Sequence, residues 1–207
     1  MFFSFDGIDG VGKTTQIDLF CRWLRERGCD VVCCRDPGST RLGERVREIL
    51  LHSDADTPIG RRAEMLLYMA ARAQLVDELI RPALAEGKTV VSDRFLLANL
   101  VYQGHAGGLD PETIRTVGGV AIDGVQPDAV FLLDMPPAAA DGRIRRALDR
   151  MEQQGNDYRQ RLREGFLAEA ARAVDLIHVI DADRTVETVQ SDIRCIAMGL
   201  FERRGSA

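Results

Sequence analysis

Residues 7 to 14 read Gly7-Ile8-Asp9-Gly10-Val11-Gly12-Lys13-Thr14, the pattern G-x-x-x-x-G-K-[ST], and what surrounds them restricts the fold sharply. Phe2-Phe3-Ser4-Phe5 is an apolar run suited to a buried strand, and Thr14-Thr15-Gln16 opens a helical pattern. A strand, a glycine turn and a helix start in that order form a loop whose backbone N–H groups converge on phosphate. Gly7 and Gly12 permit the bend, and the helix N-terminus adds favourable partial charge. Lys13 can reach terminal phosphates, and the Thr14 hydroxyl can ligate magnesium. Gly7, Ile8, Asp9, Gly10, Val11, Gly12, Lys13, Thr14 and Thr15 are therefore the expected donor-nucleotide segment.

The same periodicity continues along the chain. Ile17, Phe20, Cys21 and Leu24 share one helical face, and Gly28 stops that helix. Short apolar runs at 31–34, 89–92, 129–133 and 177–180 read as four further strands, with helical patterns between them. A long helical stretch is expected over 58–85, with a kink or last turn at Pro82. Strands nearly continuous in apolar residues and alternating with helices imply a parallel sheet covered on both faces. Ligands in such sheets sit beyond the carboxyl ends of the strands. That rule gathers the phosphate loop, Arg35-Asp36, Asp93-Arg94, Asp134 and Asp181 onto one rim.

Composition narrows the partners. A net charge of −5 over 207 residues disfavours nucleic acid and acidic membranes, while leaving room for a local phosphate site. No apolar stretch is long enough to span a bilayer, and Met1-Phe2-Phe3 lacks the basic start of a leader. The chain reads as one domain. Its five cysteines include no C-x-x-C, and Cys33 and Cys34 are expected to be packed thiols in a reducing cytoplasm. The three histidines are left as structural.

The phosphate loop alone does not choose a reaction. An Asn-Lys-x-Asp guanine reader is missing from the sequence, which weighs against a GTP switch. After the third strand come Asp93-Arg94-Phe95, then Asn99, Tyr102 and Gln103. An acid there can hold magnesium or its waters, and the adjacent arginine can grip a second phosphoryl group. Two phosphate-gripping centres on one rim describe a kinase with a phosphorylated acceptor.

With these residues the sequence resembles the thymidylate kinases, which transfer the ATP γ-phosphoryl to dTMP. The likeness is carried by Phe5 through Gln16, by Arg35-Asp36-Pro37-Gly38-Ser39-Thr40, by Asp93-Arg94-Phe95 through Gly104, and by Leu133-Asp134 with Asp149-Arg150-Met151-Glu152. The resemblance implies a P-loop NTPase three-layer α/β fold, a five-stranded parallel sheet with helices on both faces and a short lid at about 143–157. It implies ATP and Mg2+, dTMP as acceptor and a cytoplasmic homodimer. Lys13 and Thr14 would serve ATP and magnesium, and Asp9 would lie near the acceptor's sugar and the reacting phosphates. Arg35, Asp36 and Pro37 would sit beside the acceptor. Tyr68 and Arg72 would meet the base, with Asn99 supporting the arginine and Gln103 nearby. Arg94 would clamp the acceptor phosphate, and Tyr102 would crowd a ribose 2′-hydroxyl. Asp93 would join Thr14 at the metal, and Arg143 would pack on adenine with the loop after Asp181.

Several positions depart from the family pattern. Asp36 replaces a glutamate and is expected to act through water. Ser39, Ala98 and Tyr68 stand where Gly, Ser and Phe are common. Gly10-Val11 replaces a basic residue found in some members, so the missing charge is expected from the lid, first from Arg150 and then from Arg146. The remaining arginines up to Arg163 read as a solvated helix face. Two rivals stay open at this stage. One is a P-loop kinase for another nucleoside monophosphate or nucleoside, and the other a low-turnover nucleotide-binding switch.

Overall fold

The computed structural model describes residues 1–52, 58–143 and 156–205. Five parallel strands form one sheet: β1 (Phe2–Asp6), β2 (Val31–Arg35), β3 (Thr89–Asp93), β4 (Ala129–Asp134) and β5 (Ile177–Asp181), in the order β2-β3-β1-β4-β5. Each of the five predicted strands is present, and β2 to β5 run one residue further than expected, onto Arg35, Asp93, Asp134 and Asp181. Those polar ends form the rim that the sequence placed there.

The centre of the sheet is covered on both faces, with β1 in the middle of the strand order and buried at every position. Phe3 and Phe5 point to one side, into a core with Phe20 and Leu24 of α1 (Lys13–Glu26) and Ile193 of α9 (Val186–Gly205). Phe2 points to the other and meets Val90, Phe95, Leu75 and Ile80. The edge-to-face contact of Phe2 with Phe95, at 5.0 Å between centroids, fixes the segment that follows β3.

Two helices form the acceptor side. Thr40 caps α2 (Arg41–His52), its hydroxyl accepting the Gly43 N–H at 2.9 Å. The stretch expected to be helical over 58–85 is α3 (Arg61–Leu75), a π-helical turn (Val76–Ile80) and α4 (Arg81–Ala85). Pro82 falls in the first turn of α4, where its missing N–H costs least, and the wide turn before it absorbs the change of register. After β3 come α5 (Leu96–Asn99) and a second π-helical turn (Leu100–His105), then α6 (Pro111–Ile122), packed on α3. The chain after β4 forms α7 (Pro137–Asp141), and α8 (Asn156–Arg172) returns across β4 and β5. The last helix, α9, continues through Gly205. No helix among the described residues is long and apolar enough to cross a membrane.

Candidate active site

The loop between β1 and α1 needs glycine for two different reasons. Gly12 has φ of 95°, a left-handed value that side chains resist. Gly7, at φ of 138°, also lies against β4, where an added Cβ would meet the Leu133 carbonyl oxygen at 2.4 Å. Ile8 and Val11 turn their side chains into the core, so only their backbone faces a ligand. Lys13 folds back over the loop, its ammonium donating to the Gly7 and Ile8 carbonyls at 3.0 Å each and lying 3.4 Å from Asp9 Oδ1. Thr14 and Thr15 are exposed at the helix start.

Asp9 is the hub. Arg94 donates to Asp9 Oδ1 at 2.8 Å and to the Gly7 carbonyl at 3.1 Å, and the Tyr102 hydroxyl donates to Asp9 Oδ2 at 3.2 Å. Arg94 also donates to the Tyr102 oxygen at 3.0 Å and lies 4.8 Å above its ring. Burial works against a charge on Asp9, but Lys13 and Arg94 outweigh it and hold the carboxyl well below the usual range. Arg94 adopts φ of 68°, an unusual value for a side-chain-bearing residue, and this turn aims its guanidinium back at the loop. Beneath the hub, burial lifts Asp6 to about 7, with Arg94 and Lys13 pulling the other way.

The acceptor side is built on a buried pair. Arg72 Nε donates to Asp36 Oδ2 at 2.5 Å, and both side chains are sealed from water. The guanidinium also donates to the Phe95 carbonyl at 3.2 Å. One expectation is corrected here. Asn99 does not support Arg72. Its amide donates to Gln103 Oε1 at 2.7 Å, and Gln103 donates to Glu64 at 2.9 Å, which leaves Asn99 Oδ1 buried without a partner among the described residues. Arg35 is also engaged, donating to Glu44 at 2.6 Å. Tyr68 is half-buried at the wall.

A cleft of about 950 Å³ joins these groups. It is lined by Asp9, Lys13, Thr14 and Thr15 at one end, by Arg35, Asp36, Pro37, Tyr68, Arg72, Asn99, Tyr102 and Gln103 at the other, and by Asp93 and Arg94 between. Arg143 closes the donor end, donating to the Ala182 carbonyl at 3.2 Å just beyond β5, beside the loop expected at adenine. Asp93 Oδ1 has no partner among the described residues. With Thr14 it supplies hard oxygen donors of the type magnesium accepts, the ion taking its remaining ligands from water and phosphate.

Two arginines escaped the sequence reading. Arg47, on α2, donates to the Pro37 carbonyl at 3.0 Å and lines the cleft. Arg159, assigned to a solvated face, is 6% exposed. It donates to the Asp9 carbonyl at 2.8 Å and pairs with Asp141 at 2.9 Å. Nothing in the local pattern separates it from Arg161, which is exposed one position past its neighbour. Arg163, in the same run, is bidentate to Asp134 at 2.8 Å. His105, read as structural, bonds Glu169 at 2.7 Å. Arg146 and Arg150 lie outside the described residues.

Comparison with known proteins gives one answer. A family profile described as thymidylate kinase matches residues 5–193. A thymidylate kinase of Rhodopirellula baltica is 46% identical over 94% of this chain and 79% of its own length. One of Chromohalobacter salexigens is 44% identical over 99% and 97%. A crystal structure of thymidylate kinase from Ehrlichia chaffeensis superimposes with a TM-score of 0.77 at 30% identity, over 95% of this chain and 98% of that one.

Proposed function

The chain belongs to the thymidylate kinase family, with its P-loop NTPase fold, and from that premise we propose how the cleft phosphorylates dTMP with ATP. The observation that carries the reading is the Asp9 hub, which ties the donor loop through Lys13 to the acceptor clamp through Arg94 and Tyr102.

The acceptor is already an anion at neutral pH, so transfer needs positioning and charge neutralisation more than a strong base. Lys13 leaves the loop carbonyls for the donor phosphates. Arg94 fixes the attacking phosphate oxygen, with Asp9 setting the angle of both cations. Thr14 and Asp93 would hold the magnesium ion, which when bound lends positive charge to the donor phosphates. Asn99 Oδ1, an open acceptor in the cleft, suits the N–H of a thymine ring, and Arg72, held by Asp36, suits a carbonyl. Tyr68 supplies the stacking face.

Tyr102 is set against the sugar by its bonds to Asp9 and Arg94. Tyr102→Ala is expected to narrow the preference for dTMP over a ribonucleotide such as UMP by roughly tenfold, the weight of one lost contact of about 1–2 kcal/mol. Ratios of kcat/KM read this, and an unchanged ratio returns Tyr102 to a packing role.

The phosphate loop's neutral Gly10-Val11 leaves the transferring group short of positive charge, and the lid arginines Arg150 and Arg146 remain the proposed source. Arg159 joins α7 and α8, which precede and follow the lid segment in sequence, to the Asp9 carbonyl. Arg159→Ala is expected to lower kcat by about 10–100-fold with little change in KM for dTMP, through misplacement of the loop. A rise in KM at constant kcat would assign Arg159 to acceptor binding instead.

The homodimer is proposed on a second observation. Ile49 of α2, Leu66 of α3 and Val120 of α6 are exposed apolar side chains on helices that pack side by side.

A further inference from the structure

Among the cysteines of this chain, two are placed together by the fold. Cys21 lies on the inner face of α1, 2% exposed, and Cys33 lies exposed on β2. Their sulfurs are 2.9 Å apart. Of the two thiols expected to pack, Cys34 is buried and Cys33 is exposed, because successive strand residues point to opposite faces. β2 is an edge strand, so the face bearing Cys33 is open on one side to solvent and on the other to α1.

The surroundings favour a reactive thiol. The two sulfurs share a hydrogen bond, and Arg25, one turn along α1, donates to the Cys33 sulfur at 3.6 Å. The hydrogen bond with Cys21 is the largest influence and lowers the Cys33 pKa; Arg25 adds to it, while burial and Asp18 oppose it. The same contact raises the Cys21 pKa. The exposed sulfur is thus the one favoured as thiolate, with a covered thiol beside it, the arrangement of a nucleophile and its resolving partner.

We propose that Cys21 and Cys33 form a peroxide-sensitive dithiol that closes into an intramolecular disulfide and reopens in the presence of a small thiol. The Cys33 thiolate attacks one oxygen of hydrogen peroxide and breaks the O–O bond. This gives a sulfenic acid on Cys33, and the hydroxide that leaves takes up a proton to become water. The Cys21 sulfur then attacks the Cys33 sulfur, losing its own proton as the S–O bond breaks, and a second water departs. Two thiols are oxidised and one peroxide is reduced to two waters. Bond formation needs the sulfurs to close by about 0.9 Å from their present separation, to the 2.05 Å of a disulfide. The cross-link would tie the helix that begins at Lys13 to the strand that ends at Arg35, joining the donor and acceptor sides of the cleft.

The test treats the intact, reduced protein with about one equivalent of hydrogen peroxide. Free thiols are counted and non-reduced tryptic peptides are fragmented to assign each sulfur. The expected result is loss of two thiols per chain, a Cys21–Cys33 linkage within single chains, and full recovery with dithiothreitol. Cys33→Ser should abolish the loss at the same dose. Cys21→Ser should leave Cys33 as a sulfenic acid that dimedone captures. A linkage through Cys29 or Cys195, a linkage between chains, or oxidation of exposed Cys195 as fast as Cys33 would overturn the proposal.

Discussion

Lys13→Ala is expected to lower turnover at least about a hundredfold while leaving the fold intact. The loop carries no other side-chain cation, since Gly10, Val11 and Gly12 are neutral. The Lys13 ammonium is held by the Gly7 and Ile8 carbonyls and by Asp9, and water can replace its bonds to the two carbonyls once the side chain is gone. Burial and the nearby Arg94 lower its pKa, while the carboxylates of Asp9, Asp93 and Asp6 oppose them. Without Lys13 the Asp9 carboxylate keeps Arg94 and Tyr102 as partners, so the variant should still fold. Its kcat should fall with a smaller change in KM for dTMP, because the acceptor pocket is built from other elements. A folded Lys13→Ala protein within tenfold of the parent would take the loop out of the mechanism.

Arg72→Ala is expected to destabilise the protein by about 3–5 kcal/mol, because it strands a buried carboxylate. Asp36 is fully enclosed, and burial raises its pKa even with Arg72 in place. Without the arginine that pKa rises further. A carboxyl whose folded pKa lies above its unfolded value favours the folded state at low pH and loses that advantage as pH rises. The variant should therefore be more stable near pH 5 than near pH 8, with a steeper slope than the parent over that interval. Adding Asp36→Asn removes the stranded charge and should recover part of the loss. Thermal midpoints of the parent, both single variants and the double variant across pH check this. A double variant less stable than Arg72→Ala would show that Asp36 is held by something other than this pair.

Much of this was legible in order along the chain. The phosphate loop, the five strands and the rim of Arg35, Asp93, Asp134 and Asp181 depend on local signals: glycine placement, apolar runs and the residue at which each run stops. Arg94 was legible for a similar reason, since it follows directly on β3, whereas Tyr102 was singled out by the family resemblance. The pairings were not. Asp36 and Arg72 are 36 residues apart, Glu64 and Gln103 are 39 apart, and Asp9 and Arg159 are 150 apart. Each needs the packing of two or more elements before one can see which polar group meets which. Arg159 shows the limit well. On α8 an arginine recurs at 159, 161 and 163, so the pattern reads as a charged surface, and only contact with Asp9 and Asp141 singles out the first. The Cys21–Cys33 approach was hidden likewise, because Cys33 and Cys34 are indistinguishable until strand alternation assigns their faces.

The most direct check on the whole account is the initial rate of ADP formation with ATP and magnesium against dTMP, dCMP and UMP in parallel. The cleft is expected to give the highest kcat/KM with dTMP. Each polar mismatch at the base or sugar should cost about 1–3 kcal/mol, which is roughly tenfold or more per mismatch. Equal efficiency with dTMP and dCMP would contradict the assignment of Arg72 and Asn99 to the base, and faster turnover of UMP than of dTMP would contradict the reading of the site.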